Sequence, residues 1–223
     1  FAIVHFDNKY EAYNGSGGAP EEANLSICEK ISVEQKTDTE FQNLDTQPTE
    51  DVVKMPTKGG ISVTVPGALA GWSDLLNKYG TFSLSEAFEP AIKYARNGFP
   101  VSEYISWQWS FASNRIAPYP ETSLTYLPGG SPPSPGDTFT NTKLADTFET
   151  ISDNGVSEFY QGKLGKDLVK TVQEDGGLLS TSDLEEHKGT WCDPISTTYR
   201  GIDILEAPPN GQGLIALEAI NIA

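Results

Sequence analysis

Val65-Pro-Gly-Ala-Leu-Ala-Gly-Trp72 is the stretch on which the reading of this chain turns. Just upstream, Gly59-Gly-Ile-Ser-Val-Thr-Val65 alternates apolar and polar residues. The alternation predicts a short strand with Ile61, Val63 and Val65 on one face. Pro66-Gly67 stops it. The small residues that follow predict a helix from Ala68 to Asn77 that ends near Gly80.

Working towards the N-terminus, residues 21–60 are polar and poorly periodic, and read as a solvated connecting region with one short helix. Asn14-Gly-Ser-Gly-Gly-Ala-Pro20 is a glycine-rich turn. It lacks the ending of a phosphate-binding loop and the GxSxG pattern of a nucleophile elbow. Phe1 to Phe6 and Glu11 to Tyr13 read as two strands joined at Asp7-Asn8 in a hairpin.

Working towards the C-terminus, Ser83-Leu-Ser-Glu86 has the form of a capping box. Behind it Leu84, Phe88, Ala91, Ile92 and Ala95 share one helical face, and Gly98 closes the helix. Pro90 falls inside that pattern, so the helix either starts later or bends there. Tyr104, Trp107, Trp109 and Phe111 predict a helix face packed in the core or against a partner. Residues 128–136, Pro-Gly-Gly-Ser-Pro-Pro-Ser-Pro-Gly, form a surface loop within one domain. Two helices follow, carrying Leu144, Phe148 and Ile151, then Leu164, Leu168 and Val172. Ser180 to Asp183 signals a further helix start, with His187 at its C-terminal end, where a cation is favoured. Ile195 to Glu206 reads as a hairpin turning at Gly201, and a last helix begins after Pro208-Pro-Asn-Gly-Gln-Gly213.

Fifteen Lys and Arg against 31 Asp and Glu leave a formal charge of −16 over 223 residues. That balance argues against a nucleic-acid-binding face or a polybasic membrane anchor. No run approaches the length of a membrane span. Cys28 and Cys192 do not form a CxxC pair, and two histidines do not supply the usual zinc ligand set. Neither His5 nor His187 lies near a motif serine, so no nucleophile and base can be paired from the residues alone.

Four segments taken together resemble the large chain of the γ-glutamyltransferase (γ-glutamyltranspeptidase) family. They are Val65 to Trp72 with Lys78-Tyr-Gly80, and Pro90-Ala-Ile-Lys-Tyr-Ala-Arg-Asn-Gly-Phe-Pro-Val-Ser102. Then come Phe159-Tyr-Gln-Gly162 with Gly176-Gly-Leu-Leu-Ser-Thr-Ser-Asp-Leu184, and Thr197-Thr-Tyr-Arg-Gly201 with Ala207-Pro-Pro-Asn-Gly-Gln-Gly213. The resemblance runs over nearly the whole chain and is weakest at residues 24–58. It implies an α+β fold, the αββα sandwich of the N-terminal-nucleophile hydrolases, with residues 1–223 as one domain and a partial large chain. It also implies a self-cleaving precursor whose small chain begins with the nucleophilic threonine. That threonine attacks a γ-glutamyl or related amide, with its own α-amino group as base, and the acyl group passes to water or an amino acid.

No catalytic residue lies in this chain on that reading, and no metal or organic cofactor is needed. The partners implied are a small-molecule γ-glutamyl or related amide and the small chain of the same precursor, with no nucleic acid. Substrate binding falls on Ser16 and Gly17. Anchored on Ala19-Pro20, Ser16 stands where the γ-glutamyl-recognising enzymes carry a carboxylate-binding arginine, and Gly17 where they carry a glutamate. A neutral hydroxyl does not replace a bidentate guanidinium. The alternatives are therefore a glutaryl-amide or cephalosporin-acylase-like hydrolase, or a diverged relative that binds without catalysis. Phe1 is not an initiator methionine and gives no guide to the compartment; the cytoplasm is favoured over the periplasm or secretion.

Overall fold

The computed structural model describes residues 1–27 and 58–223. The expected connecting region, Cys28 included, lies mostly outside the described residues. In chain order the first elements are β1 (Ala2–Phe6), β2 (Lys9–Asn14), α1 (Ala68–Tyr79), α2 (Leu84–Asn97), β3 (Phe99–Pro100) and α3 (Glu103–Ile116). Then come α4 (Pro120–Tyr126), β4 (Thr138–Phe139), α5 (Thr142–Asn154), α6 (Ser157–Tyr160), α7 (Lys163–Glu174) and α8 (Thr181–Glu186). The last are β5 (Thr190–Cys192), β6 (Ile195–Tyr199), β7 (Ile202–Glu206) and α9 (Gly213–Ile222). They gather into two compact units, Phe1–Gly80 with Val156–Ala223, and Thr81–Gly155.

The first unit is built on a three-stranded antiparallel sheet in the order β1-β2-β5. Asp7 and Asn8 turn β1 into β2 with φ of 48° and 61°, the left-handed pair that a two-residue hairpin requires. Tyr13 lies opposite Trp191 across β2 and β5, their rings 4.8 Å apart and edge to face. Tyr79 closes on the other side of Trp191, and Lys78 lies 3.9 Å above that ring while bridging Glu11 at 2.8 Å. Ala12 and Tyr13 are almost fully buried, so the end of β2 is a fixed point of the core. β6 and β7 form a separate hairpin through Arg200 and Gly201, both left-handed, and α9 packs on it.

The alternation at Ile61 to Val65 does not make a strand. Gly60–Ser62 is a single 3-10 turn followed by extended chain. Ile61 and Val65 are nonetheless buried, so the period of two reports one-sided burial without a β ladder. Gly60 explains the difference. Its N–H is held by the Asp175 side chain at 2.8 Å, and a Cβ there would lie 2.3 Å from the Val172 carbonyl. The segment thus docks on α7 rather than on a strand. On α7 the buried positions are Gly165, Val169 and Val172.

In the second unit α2 starts at the expected capping box. The Glu86 N–H donates to Ser83 Oγ at 3.2 Å, and Ser83 N–H donates to Glu86 Oε2 at 2.7 Å. The helix runs through Pro90 to Gly98, whose φ is 85°. Phe88 meets Phe148 of α5 at 4.7 Å, and Arg96 bridges Asp146 and Glu149. On α5 Ala145 is buried in place of Leu144, which is 39% exposed. The aromatic helix α3 is not a core helix, because none of its residues is buried. Trp109 turns inward against Phe139, whereas Tyr104, Trp107 and Phe111 stack along its exposed side. The Pro128–Gly136 loop carries a short 3-10 turn at Pro128–Gly130.

Candidate functional site

The candidate site lies in the first unit, where the glycine-rich turn after β2 meets the entry to α1. Asn14 organises the turn. Its Oδ1 accepts from Ser16 N–H at 3.0 Å and from Ser16 Oγ at 2.7 Å, closing an Asx turn. Its amide nitrogen donates to Asn210 Oδ1 at 3.0 Å, and Asn210 Nδ2 donates to Ser16 Oγ at 3.2 Å. The two polar loops of the unit, 194 residues apart in sequence at Ser16 and Asn210, are thereby joined by neutral side chains.

Gly17 holds the turn against the α1 entry. Val65 N–H donates to the Gly18 carbonyl at 3.0 Å, which lays the extended segment before Pro66 along the loop. A Cβ on Gly17 would stand 1.6 Å from the Val65 carbonyl oxygen, so no side chain fits there without moving backbone. The glutamate that the resemblance places at this position therefore has no counterpart in this packing.

Gly67 is the N-cap of α1 and meets the same kind of constraint. A Cβ there would lie 1.9 Å from the Gly15 carbonyl and 2.8 Å from His187 Nε2. Serine, threonine or aspartate, the usual capping residues, are excluded, and the helix has no side-chain cap of its own. Tyr160 supplies one from a distance. Its hydroxyl accepts from Ala70 N–H at 3.0 Å and donates to the Pro66 carbonyl at 2.7 Å. One phenol thus satisfies an orphan donor of the first helical turn and the carbonyl before it. Burial pushes the Tyr160 hydroxyl above its ordinary pKa, which keeps it protonated for this double role.

Between the turn and α1 is a pocket of about 410 Å³. Its wall is made by Phe1, Tyr13, Val65, Trp72 and Leu75, with Ser16 also contributing, and among the described residues no lining side chain is charged. Ser16 is exposed there. Tyr13 is 1% exposed, and its hydroxyl donates to Asp74 Oδ2 at 2.6 Å. Burial, and then the Asp74 carboxylate, push the Tyr13 phenol well above the usual tyrosine range. Asp183 ties down the far end of the loop. Its Oδ1 accepts from Glu21 N–H at 2.8 Å and its Oδ2 from Ser180 N–H at 2.8 Å.

The geometry brings Ser16 and Gly17 to one pocket. His5 stacks on Tyr10 in the hairpin at 4.3 Å. His187 stacks on Tyr160 at 5.8 Å, with its buried Nε2 lacking a hydrogen-bond partner among the described residues. Sequence reading assigned no role to Asp74, Tyr160 or Asn210. Each acts through a partner 61 or more residues away, and no local spacing signals such a contact.

A family model described as gamma-glutamyltranspeptidase matches residues 1–223. The chain belongs to the gamma-glutamyltranspeptidase family. Among its relatives, a glutathione hydrolase-like YwrD proenzyme of Bacillus subtilis (strain 168) is 37% identical over 179 residues, covering 78% of this chain and 34% of that protein. An acylase ACY 1 proenzyme of Pseudomonas sp. (strain V22) is 32% identical over 217 residues, covering 97% of this chain and 37% of the relative. The chain thus spans about a third of the length of these two family members. Among solved structures, cephalosporin acylase from Bacillus halodurans superposes with a TM-score of 0.85 at 33% identity, over 99% of this chain and 39% of that one. The Helicobacter pylori gamma-glutamyltranspeptidase gives 0.78 at 28% identity, over 95% of this chain and 57% of that one. The α+β fold of the N-terminal-nucleophile hydrolases is accordingly the fold of this family member. Among the described residues no helix is long and apolar enough to cross a membrane.

Proposed function

We propose that these 223 residues are large-chain sequence of a γ-glutamyltransferase-like amide hydrolase or acyltransferase. The nucleophilic threonine is supplied by the small chain of the same precursor, outside this sequence. The observation that carries the reading is the family match over residues 1–223, met in the fold by a pocket between the glycine turn and α1. The threonine hydroxyl attacks the amide carbonyl, its α-amino group takes the proton, and the amine leaves. Water or an amino acid then takes the acyl group. This chain's part is to shape the pocket in which the acyl group is oriented, using rigid backbone held by Tyr160 and Tyr13.

Two acyl-donor classes follow from the relatives, glutathione-like γ-glutamyl amides and acylase substrates such as glutaryl amides. The 0.85 superposition on an acylase favours the second class. Electrophoresis of the full-length gene product tests the common reading. A precursor that matures into two chains and hydrolyses an amide is the expected result. A single uncleaved chain without amide hydrolysis would overturn it.

A further inference from the structure

Resting on the acyl-transfer reading above, we propose that Asn210 is a positioning residue for the acyl donor. It acts through Ser16, fixing the direction in which that hydroxyl meets the substrate in the pocket. The ground is a closed ring of three hydrogen bonds. Ser16 Oγ donates to Asn14 Oδ1 at 2.7 Å, Asn14 Nδ2 donates to Asn210 Oδ1 at 3.0 Å, and Asn210 Nδ2 donates back to Ser16 Oγ at 3.2 Å. Each side chain gives one proton to the ring and takes one, so the ring runs in one sense and its members polarise one another. Asn210 Oδ1 also lies 3.2 Å from Ser16 Oγ, but the hydroxyl has a single proton and Asn14 is the nearer acceptor.

The ring bears on the reaction because Ser16 lines the pocket. A serine hydroxyl left to itself turns among three staggered wells, and that freedom is lost when a substrate selects one of them. Held between two amides, the Ser16 hydroxyl keeps one orientation before the substrate arrives. The two asparagines contribute differently. Asn14 is paired with Thr190 of β5, and its Oδ1 also accepts from Ser16 N–H at 3.0 Å, so it builds the backbone of the turn. Asn210 comes from the loop between β7 and α9, and among the described residues its side chain bonds to those two side chains alone. That loop borders the pocket, since a Cβ on Gly211 would lie 4.0 Å from Cζ of Phe1, a lining residue. Removing the Asn210 amide therefore frees the Ser16 hydroxyl and leaves the Asx turn closed.

The test uses the matured two-chain enzyme from the full-length gene, with glutaryl and γ-glutamyl p-nitroanilides as substrates. For whichever anilide is turned over faster, Asn210→Ala should raise KM about 3- to 10-fold, the span of one neutral hydrogen bond, and change kcat by less than about twofold. Ser16→Ala should raise KM by a similar factor. The double variant should lie within about twofold of Ser16→Ala alone, because Asn210 then has no hydroxyl to orient. A purely structural role would not give this split between KM and kcat or this loss of additivity. KM effects that multiply in the double variant, or an Asn210→Ala enzyme whose kcat falls with KM unchanged, overturn the inference and leave the acyl-transfer reading standing. So does a matured enzyme that hydrolyses another amide but neither anilide. A chain that neither matures nor hydrolyses an amide overturns both.

Discussion

Tyr160 caps a helix whose N-cap lies 93 residues before it in the chain: its hydroxyl accepts from Ala70 N–H at 3.0 Å, in the first turn of α1. The arrangement follows from Gly67. The N-cap position is pressed between the Gly15 carbonyl and His187, which leaves no room for a capping side chain. Phe in place of Tyr160 keeps the ring and removes the cap. The Pro66 carbonyl and the Ala70 N–H then lose their partner in a part-buried place. We expect Tyr160→Phe to cost about 1–3 kcal/mol. Thermal unfolding of the full-length protein measures it, and Tyr94→Phe, at a 60% exposed tyrosine, should change the melting temperature little.

Gly17 and Gly18 are adjacent and make opposite predictions. A Cβ on Gly17 meets the Val65 carbonyl at 1.6 Å, whereas one on Gly18 meets nothing within 4 Å. Gly17→Ala forces the turn away from the α1 entry, and should lower stability by about 1–3 kcal/mol or more. Gly18→Ala should be close to neutral or slightly stabilising. Comparing melting temperatures of the two variants separates a packing demand from a general need for glycine in the turn. Equal losses would show that the close approach to Val65 is not the cause.

Asp183 makes the acid limb of stability specific. Burial tends to raise its pKa, but hydrogen bonds from the Ser180 hydroxyl and from the Glu21 and Ser180 N–H groups outweigh it and hold the carboxyl below its ordinary 3.8. A depressed folded value means that the stabilisation is present above 3.8 and is lost as pH falls through the folded pKa. Asp183→Asn should therefore be less stable than the parent at neutral pH and converge with it in acid. Urea unfolding at pH 7 and near pH 2 gives the comparison. A stability gap that stays constant across that range would rule out the carboxylate as its source.

Much of this fold is written in local chemistry. The turns at Asp7-Asn8 and Arg200-Gly201, and the caps at Ser83 and Ser180, are closed by groups within a few residues, and each is readable from spacing. The strand expected at Ile61 to Val65 fails because alternation records which side is buried, not what pairs with the backbone. Leu144, and the core half of the expectation for the α3 aromatics, fail for a related reason. An apolar stripe states which face wants a partner, while the neighbouring elements decide whether one is there. At the site, Ser16 and Gly17 were reachable through a motif, and they do meet at one pocket. Tyr160 and Asn210 also lie within motif segments, but their roles, like that of Asp74, exist only once distant segments are folded together.

Tyr13 should govern the alkaline limb. Its phenol is buried and hydrogen-bonded to Asp74, and both effects raise its pKa above the ordinary 10.0. Between the ordinary value and the raised one the unfolded chain releases the proton and the folded chain keeps it. The unfolded state then binds fewer protons, so stability falls as pH rises through this window. Tyr13→Phe removes that titration. It also leaves Asp74 without its partner, so the variant should be less stable at pH 7 by about 1.5–3 kcal/mol, as for a hydrogen bond to a charged group. Above pH 10 the gap between parent and variant should close, because the parent alone carries this loss. Denaturant unfolding at pH 7, 10 and 11 reads both effects in one series. A gap that stays constant with pH would mean that the Tyr13 phenol ionises as readily in the folded chain as in the unfolded one, and that its bond to Asp74 does not hold the proton.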